Sequence, residues 1–207
     1  MKVCACWRRG SGLNRYVIAI SGPAGAGKTT LVDKVAALLG DATTLFYDDY
    51  RKVSDWHRDL LRWAQDGCDP NQYVGNPKPF ADDLRAIRNG IPIHRPTNQE
   101  LIVPARFVVL EEPWGRDRDA VRSLIDFVAH IDIPLDVSLC RRLLRDAQRG
   151  QNILEFMQDY LAEDVRQVYL RMQKSAENAD LVLDGMQPPD ALAQQVATRV
   201  LAVTQVA

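Results

Sequence analysis

The chain is poor in cysteine and histidine, has no long apolar run, and carries charges that nearly cancel. Its four cysteines (Cys4, Cys6, Cys68, Cys140) are scattered, with no Cys-x2-Cys pair. That pattern argues against a disulfide scaffold or a structural zinc site and for reduced thiols in a cytoplasmic protein. No apolar stretch approaches the ~20 residues of a membrane span, so no membrane partner is expected. The formal net charge of -1 is wrong for a whole-domain nucleic-acid surface, and no nucleic-acid partner is expected. No Asn/Thr-Lys-x-Asp segment follows a late strand, which removes the guanine-reading regulatory GTPases. Residues 1–15 carry Lys2, Arg8, Arg9 and Arg15 without an acid and without an apolar h-region, and are expected to form a flexible N-terminal arm.

What is present suits a compact enzyme. With 207 residues, 46% of them hydrophobic and 26% charged, the chain can bury one sizeable core, and residues 16–207 are expected to form a single domain. The most specific stretch is Gly22-Pro23-Ala24-Gly25-Ala26-Gly27-Lys28-Thr29-Thr30, a P-loop pattern. An apolar β-branched run (Tyr16 to Ile20) precedes it, and an apolar-periodic segment (Leu31, Val32, Val35, Ala36, Leu38, Leu39) follows it. That is the strand–loop–helix context the motif needs. Gly22, Ala24, Gly25, Ala26, Gly27, Lys28, Thr29 and Thr30 are therefore expected to cradle the phosphates of ATP on backbone N–H groups at a helix N-terminus. Lys28 should reach the β- and γ-phosphates, and the Thr29 hydroxyl should bind Mg²⁺. The plain alternative is a Gly-rich turn before a helix capped by Ser21.

The rest of the chain alternates strand and helix, which predicts an α/β fold with a mostly parallel sheet of five strands between helix layers. Thr43 to Tyr47 reads as the second strand and runs into Asp48-Asp49-Tyr50. In such sheets ligands bind beyond the carboxyl ends of strands. An acid there can bind Mg²⁺ or take a proton from a substrate hydroxyl, or it can simply cap a helix. Alternation sends Asp48 and Asp49 to opposite faces, so only one should look into a cleft. Arg106 to Leu110 is a third strong strand ending in Glu111-Glu112-Pro113-Trp114-Gly115, and Glu111 is the candidate second metal group. His130 to Pro134 and Leu181 to Leu183 complete the expected sheet.

Residues 52–104 read as an insertion on the substrate side. Helices are expected over 55–66 and 79–89, followed by two short edge strands around Gly90–Pro96 and Glu100–Pro104 that Pro keeps from extending. Its aromatics, Trp56 and Tyr73 among them, either stack on a substrate ring or form the insertion's own small core. His94, Arg95, Tyr50 and Glu112 are further substrate-side candidates. The segment 141–152 carries Arg141, Arg142, Arg145 and Arg149, and Arg141, Arg145 and Arg149 recur every four residues on one helix face. Such a face can close over ATP and stabilise charge on the transferred phosphoryl group, or it can be a basic solvent face. One long helix over 153–176 and a last one over 189–203 are expected to carry no chemistry.

Taken together, the P-loop, Tyr47-Asp48-Asp49-Tyr50, Asp82-Asp83-Leu84 with Asn89-Gly90-Ile91-Pro92-Ile93, Val109-Leu110-Glu111-Glu112, Arg141-Arg142-Leu143-Leu144-Arg145-Asp146 with Gln148-Arg149-Gly150, and Ala179-Asp180-Leu181-Val182-Leu183 resemble the uridine kinase and phosphoribulokinase family of P-loop kinases, in that chain order. The resemblance implies a P-loop nucleoside triphosphate hydrolase fold and transfer from ATP to a hydroxyl of a small molecule. It further implies that Asp48 activates that hydroxyl, that Thr29, Glu111 and Asp48 serve Mg²⁺, and that Arg142, Arg145 and Arg149 form a lid on ATP, with Lys28, Asp48, Arg145 and Arg149 as the catalytic set. The chain departs from uridine kinases at His94-Arg95-Pro96, where they carry Tyr-Asp-Phe, and at Gln151, where they place an arginine. The acceptor the resemblance implies is a nucleoside or nucleoside-like metabolite, and three rivals remain open. A nucleoside monophosphate kinase would use Lys78, Arg85, Arg88 and Arg95 on the acceptor phosphate, another kinase would act on a non-nucleoside alcohol such as a sugar or vitamin, and a P-loop ATPase would act on a partner protein. A homo-oligomer is compatible with the sequence.

Overall fold

The computed structural model describes residues 15–50, 63–64, 67–72, 77–162 and 164–205. Five strands form one sheet: β1 (Tyr16–Ser21), β2 (Ala42–Phe46), β5 (Phe107–Glu111), β6 (Phe127–Asp132) and β7 (Leu181–Asp184). Between β2 and β5, the strands β3 (Ile93–His94) and β4 (Leu101–Ile102) pair antiparallel as a separate hairpin. The main sheet runs in the order β2-β5-β1-β6-β7, and every pairing in it is parallel. The helices are α1 (Lys28–Leu39), α2 (Pro77–Arg88), α3 (Asp119–Arg122), α4 (Leu135–Gln148), α5 (Ile153–Leu161), α6 (Asp164–Lys174) and α7 (Pro189–Thr204).

The apolar run of β1 is explained by its place. It lies between β5 and β6 with both faces covered, so Val17, Ile18, Ala19 and Ile20 are all fully buried and no polar alternation is needed. Val17 and Ala19 join a core with Phe80, Leu84 and Ile87 of α2 and Val165, Val168 and Met172 of α6. Ile18 and Ile20 join a second core with Leu31, Val32 and Val35 of α1 and Leu192, Val196 and Val200 of α7. Two apolar faces of one sheet, each closed by helices, make the three-layer α/β/α architecture. Among the described residues no helix is long and apolar enough to cross a membrane.

Register then places the chemistry. Ile20 and Phe46 both pair with Glu111, and Ser21 pairs with His130. The loop after β1, the turn after β2 and the acid ending β5 thus leave the sheet at one level of its carboxyl edge, where ligands collect in parallel sheets.

The expected long helix over 153–176 is instead two helices broken after Leu161, with the Ala162 N–H bonding back to Gln158. On a continuous helix the packed residues Phe156 and Tyr160 would face about 150° away from Val165, Val168, Tyr169 and Met172. The break lets both sets reach the same core. Of the expected helix over 55–66, only Trp63 and Ala64 fall within the described residues, and both are helical.

His130 sits fully buried behind the β1 end, its Nδ1 3.0 Å from Ser21 Oγ. Burial pushes its pKa down to about 4, and the Lys28 charge adds to that push against Asp132 and Asp117. The unfolded chain, with its histidine near 6.5, takes up the proton first, so this contribution to stability is whole above pH 6.5 and drains as pH falls towards 4. Between pH 7 and pH 5 the loss should be about 2 kcal/mol. Urea denaturation at both pH values should show it, and His130→Asn should flatten the difference.

Candidate active site

The P-loop takes its shape from its glycines. A Cβ on Gly25 (φ 86°) would lie 2.0 Å from the Ser138 carbonyl oxygen at the start of α4, and one on Gly22 (φ 138°) would lie 2.9 Å from the Ile131 carbonyl oxygen. Backbone therefore passes backbone at distances only glycine permits. Gly27, at φ 95°, starts α1 without any side-chain cap. Ser21 does not cap that helix either, since its hydroxyl faces His130. The first helical N–H groups are left to a ligand.

Lys28 is the first residue of α1 and is buried, with Nζ donating to the Pro23 carbonyl at 3.1 Å and lying 3.8 Å from Glu111 Oε1. Burial lowers its pKa, and Glu111 and Asp48 oppose the shift while Arg145 and Arg142 add to it. Thr29 Oγ1 donates to Glu111 Oε2 at 2.7 Å, so a hydroxyl and a carboxylate already adjoin where a hard cation needs oxygen ligands. Among the described residues no three His, Cys, Asp or Glu side chains cluster as an all-protein metal cage would require. A site of this kind suits Mg²⁺, which takes one or two protein oxygens and completes its shell with phosphate and water.

These groups open on a cleft of about 430 Å³, within the ~300–1,000 Å³ usual for small-molecule sites. Its floor holds Lys28, Thr29, Asp48 and Glu111, and Ala24, Gly25, Gly27 and Thr30 line the loop side. Gly22 and Ala26 are buried behind the loop. One wall is Arg141, Arg142, Arg145 and Arg149 of the α4 segment, and another is Val165, Val168, Tyr169 and Met172 of α6. The α6 wall was missed in the sequence, although the apolar spacing at 165, 168, 169 and 172 carries it.

The arginines are not equivalent. Arg142 donates to Asp146 and to Tyr169 Oη, both at 3.1 Å, and lies 4.2 Å over the Phe156 ring. Arg145 gives one bond to Asp146 at 2.9 Å, and Arg141 one to the Gly185 carbonyl at 3.3 Å. The Arg149 side chain makes no hydrogen bond or ion pair among the described residues. Arg142 thus joins α4 to α5 and α6, while Arg141, Arg145 and Arg149 are exposed and line the cleft.

After Phe46 the chain bends into a short 3-10 turn, Tyr47–Tyr50, rather than continuing as strand through Tyr47. Asp48 is exposed and lines the cleft. Asp49 turns the other way, accepting from Arg95 Nη1 at 2.7 Å and Thr97 Oγ1 at 3.2 Å. Tyr50 donates to Asp83 at 2.8 Å and packs edge-on against Phe80.

Four of the expected substrate-side residues are placed elsewhere. Arg95 is held by Asp49 and Glu100 and lies over the Phe46 ring, and Tyr50 is an anchor of its turn. His94 is exposed on the hairpin and does not line the cleft. Glu112 is fully buried and paired with Arg118, so desolvation and charge pairing place it in the core. Trp56 and Tyr73 lie outside the described residues. The unusual Pro113-Trp114-Gly115 is core too: Trp114 is fully buried against Trp63 at 5.3 Å, and a Cβ on Gly115 (φ 55°) would lie 3.1 Å from Val128 Cγ1.

A parallel three-layer fold with a P-loop, acids at the ends of β2 and β5 and an arginine wall defines a P-loop kinase of small molecules. The model of the Phosphoribulokinase / Uridine kinase family matches residues 79–191, and the chain belongs to that family. It is 30% identical over 179 residues to a uridine kinase of Borrelia hermsii, covering 81% of this chain and 85% of that protein. A uridine kinase of Borreliella burgdorferi is 29% identical with the same coverage. In fold it is similar to the shikimate kinase of Acinetobacter baumannii, with a TM-score of 0.51, 18% identity, and 91% and 94% of the two chains covered.

Proposed function

We propose that the chain transfers the γ-phosphoryl group of ATP to a hydroxyl of an uncharged small molecule, of nucleoside or nucleoside-like character. The observation that carries this reading is the convergence of Lys28, the Thr29–Glu111 pair, Asp48 and the α4 arginines on one cleft. The loop N–H groups and Lys28 would hold the phosphates, and Thr29 and Glu111 would hold Mg²⁺, which when bound would neutralise phosphate charge. Asp48 orients the acceptor hydroxyl and takes its proton as the oxygen attacks phosphorus. Arg145 and Arg149, closing as a lid, stabilise charge on the group in flight.

The cations of the substrate side favour an acceptor without a phosphate of its own. Lys78 and Arg85 pair with Asp82, Arg88 pairs with Asp126, and Arg95 pairs with Asp49. Each of the four that a nucleoside monophosphate kinase would need is already matched by a carboxylate. The uridine kinase relatives support a nucleoside, while the segment His94-Arg95-Pro96, whose arginine holds Asp49, supports an acceptor other than uridine itself.

The test is ADP release over a panel of nucleosides, nucleoside monophosphates, sugars and vitamin alcohols. A neutral alcohol should raise ADP release well above the acceptor-free rate, and monophosphates should not. Full ATP turnover with no acceptor would favour an ATPase acting on a partner, and a preference for monophosphates would overturn the neutral acceptor.

A further inference from the structure

We infer that Arg118 is a positioning residue for phosphoryl transfer: its buried guanidinium grips Glu112 and Tyr47 at once and so fixes the spacing of Glu111 and Asp48, the two carboxylates of the cleft. The inference rests on the roles proposed above for those two acids.

Glu112 and Tyr47 are the residues just beyond the last paired position of their strands, since Phe46 of β2 pairs with Glu111 of β5. Past that point the Glu112 N–H still bonds the Ile20 carbonyl of β1 at 3.1 Å. Arg118, at the start of α3, adds a side-chain brace between Glu112 and Tyr47. Its Nη2 bonds Glu112 Oε2, and its Cζ lies 3.9 Å from the centre of the Tyr47 ring. The second Glu112 oxygen accepts from the Trp114 N–H at 3.2 Å, which fixes the carboxylate from its other side.

The rest of the Asp48 turn is fastened independently. Asp49 is held by the hairpin through Arg95 and Thr97, and Tyr50 by α2 through Asp83 and Phe80. On the other flank of Asp48, Arg118 and an edge-on Phe80 ring at 5.4 Å clamp Tyr47. Asp48 is left as the exposed residue of a rigid turn.

Stability alone does not account for the pair. Arg118 and Glu112 are both fully buried, and burial opposes the charge on each. Desolvating two charges costs several kcal/mol each, and apolar residues of similar volume commonly replace such a pair without loss of stability. What apolar residues cannot do is bond one strand end and lie flat on the ring of another.

That difference supplies the test. The double variant Glu112→Leu/Arg118→Met should keep its unfolding midpoint, its KM for ATP and its stoichiometry of ADP binding by calorimetry. Its kcat, normalised to ADP-binding sites, should fall ~10²-fold, the cost of a carboxylate displaced by about an ångström. Arg118→Lys keeps the charge opposite Glu112 but has no planar face for Tyr47, so it should not restore kcat; if the double variant does not fold, this variant decides alone. Wild-type kcat in a folded double variant, or in Arg118→Lys, would overturn the inference. Asp48→Asn is measured beside them. A loss there with normal turnover in the Arg118 variants sinks only the positioning role, whereas normal turnover in Asp48→Asn sinks the reading of the site on which it rests.

Discussion

Arg149→Ala is expected to lower kcat by ~10³-fold or more while leaving acceptor binding nearly unchanged, because arginines that meet a transferring phosphoryl group are worth ~10³–10⁵ in rate. Three features single out Arg149. It is exposed, it lines the cleft, and its side chain holds no partner among the described residues, so no other duty competes for its charge. Arg145 shares one bond with Asp146 and should show a smaller loss of the same kind. Arg142 should behave differently. Its guanidinium joins Asp146, Tyr169 and the Phe156 ring, so Arg142→Ala should lower the unfolding midpoint as well as turnover. A group that acts only in the transition state depresses kcat and kcat/KM together, and steady-state kinetics on the three variants will separate these cases. Wild-type turnover in both Arg149→Ala and Arg145→Ala would leave the arginines as a basic surface.

The parts of this site that can be read in the sequence are those whose chemistry is local. The P-loop is one contiguous run whose Gly25, Gly27, Lys28 and Thr29 all line the cleft. Asp48 and Glu111 each end an apolar run, and the parallel sheet brings such ends to one edge. The parts that could not be read are pairs across the fold. Asp49 and Arg95 lie 46 residues apart, and no periodicity links them, so Arg95 reads as a free substrate cation until the hairpin is seen closing on the turn. Arg118 and Glu112 are only 6 residues apart, but the ring they brace belongs to another strand. Glu112 beside Glu111 looks like a second site acid, whereas alternation at a strand end puts one in the cleft and the other in the core. The α6 wall was hidden by reading 153–176 as one helix. The apolar phase reverses between Tyr160 and Val165, and that reversal is the trace of the break in the sequence itself.

Asp48→Asn should reduce transfer by ~10²–10⁴-fold, the usual worth of a positioned general base. The substitution keeps the shape of the side chain and removes its charge and its ability to take a proton. ATP binding should survive, because the proposed phosphate site, the loop with Lys28 and the Thr29–Glu111 pair, is untouched. Asp49→Asn is the built-in comparison. Its carboxylate is spent on Arg95 and Thr97, away from the cleft, so the change should weaken the anchor between hairpin and turn. The paired side chains are only 15% and 20% exposed, so the expected cost is about 1–3 kcal/mol in stability, with only a modest fall in turnover. The two neighbours therefore differ in direction alone, one carboxylate turned to the substrate and one to the scaffold. Kinetics of both variants, with whichever acceptor the panel yields, will rank them. A greater loss of transfer in Asp49→Asn than in Asp48→Asn would move the base to Asp49 and require Arg95 to release it on substrate binding.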